Sequence, residues 1–90
     1  MSMFLPIVVY GATHCDDTER TCNYLRECGI PFQEVNIDHV PDAAQFVRFI
    51  NNGYCSTPTL VLGEGKRKII LTEPSNEELK HLISRVQLFD

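Results

Sequence analysis

The sequence predicts an α/β fold: one four-stranded mixed sheet flanked by three helices, in the order β-α-β-α-β-β-α, as a single domain over residues 1–90. Three observations lead there. An apolar run from Phe4 to Tyr10 turns at Gly11 to His14, then reaches Cys15 and a helical stretch. Strand and helix patterns alternate twice from the start of the chain, and right-handed crossover makes the first two strands parallel neighbours. Later, Gly63-Glu64-Gly65 is too short a link for anything but an antiparallel hairpin. Such a sheet needs cover on both faces, and three helices supply it.

Each element has a local reason. Strand one, from about Leu5 to Tyr10, is nearly continuous in apolar residues, which suits a central strand. Helix one, Asp16 to Cys28, presents Thr18, Thr21, Cys22, Leu25 and Cys28 at spacings of three and four. Asp16, Asp17 and Glu19 suit the positive end of its dipole, and Gly29 suits its C-terminal stop. The spacing makes Cys22 and Cys28 small buried hydrophobes. Strand two spans about Phe32 to Ile37. Pro41 opens helix two, whose Ala43, Ala44, Phe46, Val47, Phe49 and Ile50 exceed one stripe and call for extensive cover. Asn51-Asn52-Gly53 stops it. After the loop Tyr54 to Thr57, Pro58 is tolerable at the entry to strand three, Thr59 to Leu62. Strand four is Lys68 to Leu71. Ser75 and Glu78 form a capping box for the last helix, whose stripe is Leu79, Leu82, Ile83 and Val86.

Composition narrows the function. Formal charge is −4, with acids spread along the chain. The basic cluster Lys66-Arg67-Lys68 falls at the hairpin turn, where a solvated turn explains it. Neither nucleic acid nor an anionic membrane surface is an expected partner. No run is long enough to span a membrane. The N-terminus lacks the pattern of a secretory leader, so the expected compartment is the reducing cytoplasm. Four cysteines there do not suggest a disulfide scaffold. Cys15, Cys22, Cys28 and Cys55 form no compact zinc pattern with His14, His39 or His81, and no metal is expected.

Cys15 is the candidate reactive residue. It stands where a strand end meets a helix start, and unpaired amides with the helix dipole favour a thiolate there. The plainer alternative is a free cysteine tucked into a turn. Asp16 and Asp17 beside it are expected to raise its pKa by like-charge repulsion. A protonated His14 would offset a little; an exposed loop histidine is the competing reading.

The chain resembles a glutaredoxin, of the thioredoxin fold, over nearly all its length. The resemblance rests on Val9-Tyr10 followed by Cys15, on Leu25 with Gly29-Ile30-Pro31-Phe32, and on Val35-Asn36-Ile37-Asp38. Asn52-Gly53, Ser56-Thr57-Pro58-Thr59 and Leu71-Thr72-Glu73-Pro74-Ser75 continue it. The stretch Thr72 to Ser75 is similar to the mycoredoxin-like branch. The resemblance implies that Cys15 is the nucleophile, Pro58 a cis-proline facing it, and Thr57 the residue whose backbone pairs with the cysteinyl part of glutathione. It implies that Thr72, Glu73 and Ser75 lie near the γ-glutamyl end, and that Tyr10 packs beneath the active-site loop. The chain departs from the family where a second cysteine is usual: the motif is Cys15-Asp16-Asp17-Thr18. It is also not the C-G-F-S motif of the iron–sulfur class, and Ala12 stands where a lysine is common.

One thiolate can still exchange with a disulfide, but Thr18 cannot resolve the product. The resemblance therefore implies glutathione as co-substrate, and glutathionylated or disulfide-bearing proteins as partners of a monomeric monothiol oxidoreductase. Cys22 lies two helical turns on, about 10 Å along the axis, beyond the roughly 7 Å that a disulfide spans. Cys55 is the better internal candidate. Two other classes stay open: a redox-inactive binding or regulatory domain, and an iron–sulfur carrier using Cys15 from two subunits.

Overall fold

The computed structural model describes residues 6–86. The elements are β1 (Ile7–Gly11), α1 (Asp16–Glu27), β2 (Gln33–Asn36), α2 (Pro41–Ile50), β3 (Thr59–Leu62), β4 (Ile69–Thr72) and α3 (Asn76–Val86). A single 3₁₀ turn, Gly65–Arg67, lies within the β3–β4 link. The sheet order is β2-β1-β3-β4. β1 runs parallel to β2 with Tyr10 opposite Val35, and antiparallel to β3 with Val9 opposite Leu60. β3 and β4 form the expected hairpin, with Leu60 opposite Leu71. This is the β-α-β-α-β-β-α order of the thioredoxin-like fold.

Alternation along β1 divides the core. Ile7 and Val9 face Cys22 and Leu25 of α1 and Leu79 and Ile83 of α3, with Leu60 and Leu62 from β3. On the other face Tyr10 and Val35 pack with Ile37 and the Ala43, Ala44 and Val47 side of α2. β3 is buried at all four positions, as a strand between two neighbours and two helix layers should be. The Ser75–Glu78 capping box is formed in both directions: the Ser75 amide donates to Glu78 Oε1 at 3.1 Å, and the Glu78 amide to Ser75 Oγ at 3.1 Å.

Several expectations change. Cys28 is exposed, not buried. It is the C-cap of α1, where the chain leaves the helix and its inward stripe ends. α2 is not covered all round, since Phe49 is 86% exposed. A ten-residue helix on one sheet face has one side to bury, and Ala43, Ala44 and Val47 take it. β2 runs Gln33–Asn36 instead of Phe32 to Ile37, and β4 runs Ile69–Thr72 instead of Lys68 to Leu71. Leu5 and the side chain of Val86 lie outside what is described.

Candidate active site

The chain reverses from β1 into α1 through a braced loop. The Thr13 amide donates to Asp38 Oδ2 at 2.9 Å, and Asn36 Nδ2 donates to Thr13 Oγ1 at 2.9 Å. His14 takes a left-handed backbone, φ 57°, and is exposed. Cys15 follows as the N-cap of α1 in extended conformation. The end of β2 thus fixes the loop that presents the cysteine. Sequence reasoning missed Asp38 as a brace; its only mark was a short acidic side chain at a strand end.

The other wall comes from the entry to β3. The Thr57–Pro58 bond is cis. Thr57 turns its carbonyl oxygen toward the Cys15 thiol, which donates to it at 3.7 Å, and sets its hydroxyl 3.3 Å from Sγ. Asn51, at the end of α2, holds this entry. Its Nδ2 donates to Val47 O at 2.8 Å and to Thr59 Oγ1 at 3.2 Å, while Thr72 Oγ1 donates to its Oδ1 at 2.7 Å. Asn51 therefore ties α2, β3 and β4 together behind the site. A helix-stop asparagine gave no hint of that.

Cys15 is partly exposed. Burial pushes its thiol up, but hydrogen bonds to the thiolate outweigh that and leave its pKa below the ordinary value. The Thr18 and Thr57 hydroxyls contribute most, followed by the Thr18 and Asp17 amides at the helix start. This corrects the expectation that Asp16 and Asp17 raise it. Both carboxylates are exposed, whereas hydroxyls and amides reach the sulfur. Thr18 is 3% exposed, and the Ala12 amide donates to its Oγ1 at 3.4 Å. A hydroxyl oxygen that accepts from an amide has its own proton left to give to sulfur. Cys22 is different: burial first, then the Glu34 charge, pushes its thiol up to about 11.

Two clefts flank the start of α1. One, about 260 Å³, is lined by Ala12, His14, Cys15, Thr18 and residues further along the helix. The other, about 460 Å³, brings Asp17 and Arg20 together with Glu73 and Ser75. The Glu73 amide donates to Pro58 O at 2.8 Å, which joins that cleft to the cis-proline. Thr72 and Ser75 are exposed on either side of Glu73 and Pro74. Tyr10 is half-buried, its ring centroid 5.1 Å from that of Phe46. Cys55 is exposed and its thiol is free, as are those of Cys15, Cys22 and Cys28. Among the described residues no group of three His, Cys, Asp or Glu side chains is placed to hold a metal ion.

A cysteine starting a helix opposite a cis-proline, on this sheet order, defines a thiol protein of the thioredoxin fold. Within that class the chain belongs to the glutaredoxin family, whose sequence profile matches residues 7–66. It is 30% identical over 80 residues to a protein of two Mycobacterium tuberculosis strains that is provisionally named a glutaredoxin. That match covers 89% of this chain and 92% of the relative. Among solved structures, the Escherichia coli NrdH-redoxin superposes with a TM-score of 0.70 at 22% identity, over 87% of this chain and 95% of the other. An Archaeoglobus fulgidus glutaredoxin superposes at 0.67 with 24% identity, over 88% and 86%. These two likenesses establish the fold alone.

Proposed function

We propose that this chain is a monothiol, glutathione-dependent thiol–disulfide oxidoreductase that reduces protein–glutathione mixed disulfides, with Cys15 as nucleophile. The observation that carries the reading is Cys15 itself: partly exposed, at a helix start, with its pKa held below the ordinary thiol value. A lowered pKa raises the thiolate fraction available for exchange.

The Cys15 thiolate attacks the glutathione sulfur of a mixed disulfide. A bond forms between the two sulfurs, the old disulfide breaks, and the protein thiolate leaves and takes a proton from water. Thr18 offers no second thiol, so the adduct waits for an external one. A second glutathione thiolate attacks it, giving oxidised glutathione and freeing Cys15 as the thiolate. Thr57 and Pro58 form the wall against which the cysteinyl part lies. Thr72, Glu73 and Ser75 border the place for the γ-glutamyl end. Thr18 stabilises the thiolate, Tyr10 supports the loop, and His14 stands at its rim. The setting is the cytoplasm and the working form a monomer.

The test is turnover of a glutathionylated peptide with reduced glutathione. Wild type should turn over in proportion to glutathione, and Cys15→Ser should not. Cys55→Ser should turn over like wild type. Undiminished turnover in Cys15→Ser overturns the assignment.

A further inference from the structure

Asn51 stands where the two walls of the site part. β3 and β4 run side by side up to Thr59 and Thr72, which lie opposite each other in the register. Beyond that pair one chain leads back to Thr57 and the other leads on to Glu73 and Ser75. One further backbone bond follows, from the Glu73 amide to Pro58 O at 2.8 Å. The Asn51 side chain bridges both members of the last pair. Its Nδ2 donates to Thr59 Oγ1 at 3.2 Å, and its Oδ1 accepts from Thr72 Oγ1 at 2.7 Å.

The bridge runs in one direction. A hydroxyl has one proton to give. That of Thr72 goes to Asn51, and that of Thr59 goes to Ser56 O at 2.8 Å, so Thr59 receives from Asn51. Thr72, Asn51, Thr59 and Ser56 thus form a head-to-tail chain in which each bond polarises the next. The carboxamide cannot turn over. Its Nδ2 also donates to Val47 O at 2.8 Å, and an oxygen in that place would face a carbonyl. The chain ends on the residue before Thr57, whose carbonyl and hydroxyl lie 3.7 and 3.3 Å from Cys15 Sγ. It starts on the residue before Glu73, which holds a left-handed backbone, φ 49°. A non-glycine residue keeps such a conformation only where its surroundings fix it. Thr72 spends its proton on Asn51, and none is left for a ligand.

We propose that Asn51 is a positioning residue: through Thr72 and Thr59 it sets the spacing of the two walls, and so makes the site favour disulfides that carry a γ-glutamyl end. This rests on glutathione lying between the walls, as proposed above. Asn51 lines neither cleft beside Cys15, so it acts through the residues that it holds. A disulfide with a γ-glutamyl group reaches from Thr57 to the turn at Glu73 and needs both walls in register. A small disulfide without that group meets the Thr57 wall alone, and the spacing matters little to it.

Single-turnover exchange tests it, with the Cys15 adduct read by quenched peptide-mapping mass spectrometry. Oxidised glutathione carries the γ-glutamyl end, and bis(2-hydroxyethyl) disulfide lacks it. The readout is the ratio of the two rates. A variant that merely loses folded protein lowers both rates together and leaves the ratio as it was. Thr59 is 0% exposed and out of a ligand's reach, so Thr59→Val reports on the hydrogen-bond chain alone. In Thr59→Val and in Thr72→Val the ratio of glutathione to small-disulfide rate should fall about fivefold, the scale of one net hydrogen bond. In Asn51→Leu it should fall at least as far. Thr72→Ser keeps the hydroxyl and should keep the wild-type ratio. Adding Thr72→Val to Asn51→Leu should lower the ratio no further, because that bond is already gone. A wild-type ratio in either Thr59→Val or Thr72→Val, with Cys15 still reacting, overturns the proposal and leaves the oxidoreductase reading standing. A further loss in the double variant also overturns it, and places the Thr72 hydroxyl on glutathione itself. No adduct at Cys15 of the wild type with either disulfide overturns the oxidoreductase reading, and this proposal with it.

Discussion

Replacing Gly11 with alanine should damage stability and reactivity together. Gly11 closes β1, opposite Asn36, with its carbonyl accepting the Ile37 amide at 2.9 Å. Its backbone is ordinary strand, so an alanine there meets no conformational penalty. The cost is space. A Cβ at Gly11 would overlap Thr18 Cγ2, with Thr18 Oγ1 at 3.0 Å and Thr18 Cβ at 3.2 Å. Thr18 cannot simply rotate away, because it is 3% exposed and its hydroxyl accepts the Ala12 amide. Overpacking of this kind costs about 1–3 kcal/mol. In a chain of this size each kcal/mol lowers Tm by about 4–8 °C. The same displacement pulls the Thr18 hydroxyl from the Cys15 sulfur, so the Cys15 pKa should rise. Thr18→Ser removes the methyl group and keeps the hydroxyl, so the double variant should recover most of both losses. Urea denaturation of the four proteins gives the coupling, expected to be at least about 1 kcal/mol. Thiolate absorbance against pH gives the second readout. A Gly11→Ala variant as stable as wild type, with the same titration, would refute the packing argument.

Three further outcomes follow. Cys22 titrates near 9 when unfolded and near 11 when folded, so its stabilising contribution is complete below pH 9 and lost as pH rises to about 11; Cys22→Ala should flatten that fall in urea midpoints. Iodoacetamide at neutral pH should label Cys15 first and the exposed Cys28 and Cys55 next. Cys22, 2% exposed, should be labelled only after denaturation, as peptide mapping would show. Ser75→Ala removes the capping-box oxygen and should cost about 1 kcal/mol in urea denaturation; no loss would mean that the α3 start is held by other contacts.

The fold was legible where pattern and chemistry agree locally. The apolar run at β1, the Ser75–Glu78 box and the short β3–β4 link each admit one structure. The Cys15 helix start was legible for the same reason. The cis bond at Thr57–Pro58 came from resemblance, because nothing in a threonine–proline pair specifies it. What stayed hidden depends on residues far apart in the chain. Thr57 is 42 residues from Cys15, and its hydroxyl helps reverse the expected pKa direction. Asp16 and Asp17 look decisive as neighbours in sequence, yet helix geometry leaves both exposed. Cys28 continues the buried stripe by count, but the helix ends before it. Asn51 and Asp38 act as braces only once α2 and β2 are in place.

The central claim is that Cys15 forms a disulfide with glutathione that no thiol of this chain resolves. Intact-protein mass spectrometry after treatment with oxidised glutathione reads it directly, with Thr18→Cys alongside. The account predicts one glutathione at Cys15 in wild type, released by reduced glutathione. In Thr18→Cys it predicts an internal disulfide with the introduced thiol, one turn away, in place of the adduct. Wild type that gains no adduct at Cys15, while a dithiol glutaredoxin under the same conditions is oxidised, contradicts the account.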